Sequence, residues 1–248
     1  MRIIVAAGAT ALVVLAACSS PGAATAEITI FAGSSLTDVF DQLGNDFRKT
    51  DGSARLTFNF GSSSTLATQI INGAPADVFA SADEENMAKV VAAGVSDGEP
   101  QLFASNQLQI AVGPGNPKKI LGPADLARPD VVLVLAAPTV PAGKYALEAL
   151  GKAGVAARPV SQEVDARAVL NKVALGEADA GIVYVTDVRS AAGRVSGVNI
   201  PESDQVIARY PVVVIQGGKA PQVARRFAAY VLSPEGQKTL ASFGFAAP

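Results

Sequence analysis

From Glu27 onward, short apolar runs alternate with longer segments whose apolar residues recur every three to four positions. The first pattern is that of a strand, the second that of an amphipathic helix. Residues 28–31 form a strand, and Leu36, Val39, Phe40, Leu43 and Phe47 mark a helix that stops at the Asp51-Gly52 turn. Residues 55–60 alternate as a second strand, followed by a helix over 66–71 that ends near Asn72-Gly73. Residues 76–80 are a short strand. Ser81 with Glu84 makes a capping box for a helix stopping at Gly94. Residues 107–112 form the next strand, broken by Gly113-Pro114-Gly115-Asn116-Pro117.

The same rhythm then repeats. Residues 131–136 are an apolar strand, and Pro141 opens a helix that runs to Leu150 with Gly151 as its stop. A helix over 164–175, a buried strand over 181–185 and a strand over 212–215 follow. Helices over 221–232 and 234–243 close the chain. Strands alternating with helices predict an α/β fold built on mostly parallel sheets with helices on both faces. The Gly/Pro-rich break divides the pattern into two lobes, with the strands near 107–112 and 212–215 as the crossings. The last helices return to the first lobe.

The residues before Glu27 do not belong to this rhythm. Arg2 precedes an apolar run from Ile3 to Ala17, too short to span a bilayer and placed like the core of a secretory signal. It ends in Leu15-Ala16-Ala17-Cys18, which resembles a bacterial lipobox. Cys18 is the single cysteine of the chain. Residues 1–17 therefore read as a lipoprotein signal peptide and 18–26 as a flexible tether from a lipidated Cys18. A plain signal peptide with an incidental cysteine is the alternative.

Composition narrows the chemistry. Of 248 residues, 49% are hydrophobic and 17% charged, which fits a packed globular protein. A formal net charge of −2 carries no basic footprint for nucleic acid. With no histidine, a Ser-His-Asp triad is impossible, and protein-ligated zinc or copper has no ligand set. No phosphate-binding Gly-rich Lys-Ser/Thr loop is present, so nucleotide hydrolysis is excluded too.

What remains is a pair of serine-rich junctions, Phe31-Ala32-Gly33-Ser34-Ser35-Leu36 and Phe60-Gly61-Ser62-Ser63-Ser64-Thr65-Leu66, each leading from a strand into a helix. Helix N-termini expose free backbone N–H groups and the positive end of the dipole, and serine adds a hydroxyl. Taken singly, each cluster reads as an ordinary helix cap. Together, beyond the carboxyl ends of strands in one lobe, they suggest a pocket for a small anion. The helices beginning near Pro141 and Val164 would offer N–H groups around Ala142 and Ala166. Tyr184 ends a strand where its hydroxyl could reach the same cleft, or else serve as a core aromatic.

Several ordered motifs resemble the periplasmic molybdate-binding proteins of ABC importers. They are the two serine junctions, residues 73–83 (including Ala76-Asp77-Val78-Phe79-Ala80), Val140-Pro141-Ala142-Gly143, residues 176–184 ending Gly181-Ile182-Val183-Tyr184, Tyr210-Pro211-Val212 and Gly244-Phe245. The resemblance covers residues 27–248. It implies a two-lobed, type II periplasmic-binding-protein-like fold, with residues 27–106 plus 211–248 as lobe 1 and 107–210 as lobe 2. A tetrahedral oxyanion would sit in the inter-lobe cleft. The ligand contacts it implies are Ser35, Ser63, Ala142, Ala166 and Tyr184, with Ser34 as a competitor of Ser35 and no direct protein–metal ligand. Glu163-Val164-Asp165-Ala166-Arg167 departs from the family's usual run, which affects the register at Ala166.

Such donors, without a required Lys or Arg, suit a fully ionised dianion and penalise hydrogen phosphate, whose proton needs an acceptor. Lys144 and Arg167 lie near in sequence and read as solvated helix residues. The choice of molybdate, with tungstate close behind, over sulfate comes from the resemblance. So does the role it implies: a monomeric, membrane-anchored extracytoplasmic protein that delivers its ion to an ABC permease, with no cofactor and no catalysis. The rivals are a sulfate or other oxyanion binder of the same fold, a secreted serine hydrolase, and a ferric-ion carrier.

Overall fold

A computed structural model describes residues 26–52 and 54–248. The signal segment, Cys18 and all but the last residue of the tether lie outside the described residues.

The first half builds three parallel strands: β1 (Ala26–Gly33), β2 (Ala54–Gly61) and β3 (Val78–Ala80). Along β1 the side chains alternate between two cores, Ile28, Ile30 and Ala32 on one face and Phe31 on the other. Helix α1 (Thr37–Thr50) covers the first face with Val39, Phe40, Leu43 and Phe47. Asp38 in its first turn and Arg48 and Lys49 in its last complement its dipole. Gly44 is required there, because a Cβ would come within 2.8 Å of the Phe58 ring on β2. Helices α2 (Ser63–Ile71) and α3 (Glu84–Ala92) cover the other face through Leu66, Ile70, Met87 and Val90.

The 17-residue strand β4 (Ser96–Val112) links the two halves. Beyond it lie β5 (Leu133–Ala136), α4 (Pro141–Lys152), β6 (Ser161–Glu163), α5 (Ala166–Ala174), β7 (Ala180–Tyr184), α6 (Val185–Ser190) and β8 (Ser196–Asn199). The chain returns along β9 (Ile207–Ile215) and ends in α7 (Pro221–Leu232) and α8 (Pro234–Ser242). Phe227 of α7 meets Phe40 and Phe47 edge-on, with ring centroids 6.1 and 5.4 Å apart, which seats the C-terminal helices on α1.

The sheet order is β2-β1-β3-β9-β4-β7-β5-β6, with β8 also paired to β4. Pairs among β1, β2 and β3 and among β5, β6 and β7 are parallel, as the alternating pattern predicts. The pairs made by the two linking strands are antiparallel, so the whole sheet is mixed. β4 pairs with β9 up to Gln107↔Ile207 and with β7 from Leu108 onward. At that seam the Gln205 side chain accepts from Leu108 N–H (2.9 Å) and donates to Leu108 C=O (3.0 Å).

Three local expectations need correction. The cap of α3 is Asp83, whose carboxylate accepts from Asn86 N–H at 3.1 Å; Ser81 instead hydrogen-bonds Asp83. Helix α4 runs past Gly151 to Lys152, and the left-handed stop is Gly154 at φ 67°. Helix α5 starts two residues after Val164, which is 73% exposed and belongs to no buried face.

Candidate functional site

Because β1, β2 and β3 are parallel and in register, with Gly33 opposite Gly61 and Ala32 opposite Ala80, their carboxyl ends release the chain at one place. The triple serine divides its labour there. Ser62 is the cap of α2, accepting from Thr65 N–H at 3.3 Å, whereas the buried Ser63 turns its Oγ to accept from Ala82 N–H at 2.8 Å. The first junction makes a short 3-10 turn over Ser34–Leu36 with no side-chain cap, and Ser35 Oγ lies 3.0 Å from the Tyr210 hydroxyl. Gly33 allows the closeness, since a Cβ there would stand 3.3 Å from Ser63 Oγ.

The opposite wall comes from α4, α5 and β7. Helix α4 begins Val140-Pro141 with no side-chain cap, so the N–H groups of its first turn start at Ala142. Gly143 is obligatory, because a Cβ would fall 2.0 Å from the Ala137 carbonyl oxygen. Asp165 caps α5 by accepting from Ala168 N–H at 2.9 Å, which makes Ala166 the first helical residue. Tyr184 ends β7 fully buried, and its hydroxyl has no hydrogen-bond partner among the described residues.

Ser35, Ser63, Ala142, Ala166 and Tyr184 all line one small cavity, and Ser34 joins them. Its volume is about 10 Å³, the space of one bound water. Ser62, Ala82 and Asp165 also line it, and the sequence reading did not single them out. For Asp165 the signal was present: Asp just before an apolar-periodic run is a cap pattern.

Among the described residues, no basic side chain lines the cavity. The two cations nearest in sequence are already paired. Lys144 of α4 binds Glu85 of α3, and Arg167 of α5 binds Asp38 of α1. Arg167 also lies 3.1 Å from Asp187 Oδ1, an ion pair whose alignment is not that of a hydrogen bond. Asp187 is completely buried in α6 and accepts from Tyr184 N–H at 3.1 Å. Burial pushes its carboxyl up to about 6, against the opposing pull of Arg167 and that backbone N–H. Burial raises the Tyr184 phenol well above its ordinary range, so it stays a neutral donor. The cavity thus offers hydroxyls and helix N-termini, while the Asp165 carboxylate in its lining is engaged in capping α5. That combination can hold an anion by dipoles. Among the described residues no group of His, Cys, Asp or Glu could hold a metal ion, and no helix is long and apolar enough to cross a membrane.

Two linked half-sheets with an anion-suited cavity among strand ends and helix starts are the architecture of an extracellular solute receptor. The chain belongs to the bacterial extracellular solute-binding proteins, whose family model matches residues 28–246. It is 42% identical over 233 residues to the molybdate-binding protein ModA of Mycobacterium tuberculosis, covering 93% of this chain and 89% of that one. The fold matches the periplasmic molybdate-binding protein of Azotobacter vinelandii (TM-score 0.79, 22% identity, 89% of this chain and 99% of that one). It matches the sulfate-binding protein SubI of M. tuberculosis equally well (TM-score 0.79, 20% identity, 90% and 87%). Fold similarity alone therefore does not separate the two oxyanions.

Proposed function

We propose that this chain captures molybdate, and tungstate alike, outside the cytoplasm and delivers it to an ABC permease, without catalysing a reaction. The hydroxyls of Ser35, Ser63 and Tyr184 and the N–H groups of Ala142 and Ala166 donate to the oxyanion. The observation that carries this reading is the Tyr184 hydroxyl, buried in the cavity wall without a hydrogen-bond partner among the described residues. A buried unsatisfied donor is costly, and an acceptor in the cavity removes that cost. Hydrogen bonds to a charged partner contribute about 1.5–3 kcal/mol each, so five of them hold a dianion without a cation. Further support is the 42% identity to a molybdate-binding relative. Residues 27–106 with 211–248 act as one lobe and 107–210 as the other, and closure around the ion is the state the permease recognises. The protein works as a monomer held to the membrane by lipid on Cys18.

Calorimetric titration with molybdate, tungstate and sulfate tests the ligand. Tight binding of the first two and weak binding of sulfate is expected; sulfate binding as tightly as molybdate would sink the specific claim. Ser35→Ala and Ser63→Ala should each weaken molybdate by roughly tenfold or more, the loss of one charged hydrogen bond, with a modest fall in melting temperature because the Tyr210 hydroxyl and the Ala82 N–H lose their partners. Cys18→Ser should move the protein from the membrane to the soluble fraction, and retention on membranes would refute the anchor.

A further inference from the structure

A serine hydroxyl has one hydrogen and two lone pairs, so when the group behind it donates to its oxygen and offers no acceptor, its hydrogen is left for the guest. For Ser63 that group is the Ala82 N–H, a backbone donor that cannot reverse. For Ser35 it is the Tyr210 hydroxyl, and their 3.0 Å separation does not by itself say which of the two donates. The answer lies in what else each hydrogen can reach. Tyr210 is fully buried among the rings of Phe103, Tyr184 and Phe245. Among the described residues, its own hydrogen has one acceptor, Ser35 Oγ.

We infer that Tyr210 is a positioning residue that sets specificity: by donating to Ser35 Oγ it obliges Ser35, like Ser63, to present a hydrogen and not a lone pair to the guest. The polarity runs from Tyr210 to Ser35 and into the cavity, and Tyr210 itself lies outside the cavity lining. An oxyanion that gives its own proton to either serine leaves that serine's hydrogen without an acceptor. The inference rests on the oxyanion reading and assigns its proton discrimination to a residue outside the cavity wall.

The test compares molybdate with hydrogen phosphate at about pH 8, where both are dianions, by competition titration of the purified protein. Tyr210→Phe keeps the ring and removes the donor. Molybdate affinity is expected to fall about tenfold while hydrogen phosphate affinity holds or rises, because Ser35 Oγ regains a free lone pair. In the Ser35→Ala background the same substitution should change neither value, since its effect passes through Ser35. An unchanged ratio in the folded Tyr210→Phe variant, or an equal loss with and without the Ser35 hydroxyl, would overturn the inference and leave the oxyanion reading standing. Failure of the unsubstituted protein to bind any tetrahedral dianion would overturn both.

Discussion

Tyr184 concentrates the problem of building an anion site from neutral groups. Its ring is an asset to the core and its hydroxyl, buried and unpartnered, is a liability until something accepts from it. Tyr184→Phe should therefore raise the melting temperature of the ligand-free protein, in line with relief of about 1–3 kcal/mol for an unsatisfied buried group. The same variant should lose at least tenfold in molybdate affinity. A variant less stable than the parent would mean that the hydroxyl has a partner after all. Residue type made this tyrosine legible in the sequence, as it did the two serine clusters. Which serine caps α2 was not legible from residue type, because Ser62 and Ser63 are chemically identical. The end of β2 at Gly61 decides it, and that is set by pairing with β1.

At the scale of elements, the long periodic segments were readable and the short ones were not. Helix α1 has one buried face spread over four turns, whereas α6 has six residues and β6 three, too few for either period to register. The first part of β4 begins Ser96-Asp97-Gly98-Glu99, a polar run whose strand character comes only from pairing with β9. Yet α6 carries the group with the clearest pH signature. Asp187 holds its proton up to about 6 in the folded chain, against 3.8 as the ordinary value. Arg167 faces it as a cation, with Asp165 and Asp38 as further carboxylates. A raised acid pKa contributes stability that is complete below the unfolded value and is lost as pH rises through the folded one. Urea denaturation from pH 4 to 7 should accordingly show the parent losing stability relative to Asp187→Asn as pH rises. A difference that stays constant across that window would contradict the burial of this carboxyl.

Across the whole molecule, two ion pairs tie helices of the two halves together, Glu85 with Lys144 and Asp38 with Arg167. Each joins a helix of the first half to one of the second, across 59 and 129 residues of sequence. No local pattern announces such pairs, which is why Lys144 and Arg167 read in the sequence as solvated helix residues. Combining Glu85→Gln with Asp38→Asn should expand the ligand-free protein in small-angle scattering. The cost in molybdate affinity should be only a few-fold, since partly exposed pairs contribute little each. An unchanged radius of gyration would show that packing alone keeps the halves together.

The seam at Leu108 has a further consequence, for the order in which the chain assembles. Gln205 and Leu108 are 97 residues apart, yet they exchange two hydrogen bonds beside the last β4–β9 pair. Everything between them is one excursion that leaves and rejoins the first half at adjacent points. Joining those points while the excursion is still a random coil carries a large loop-closure entropy, and that cost falls once the segment has collapsed. The second half of the sheet is thus favoured to compact first, and the strand that completes the first half arrives late, with Gln205 as the clasp that records its arrival.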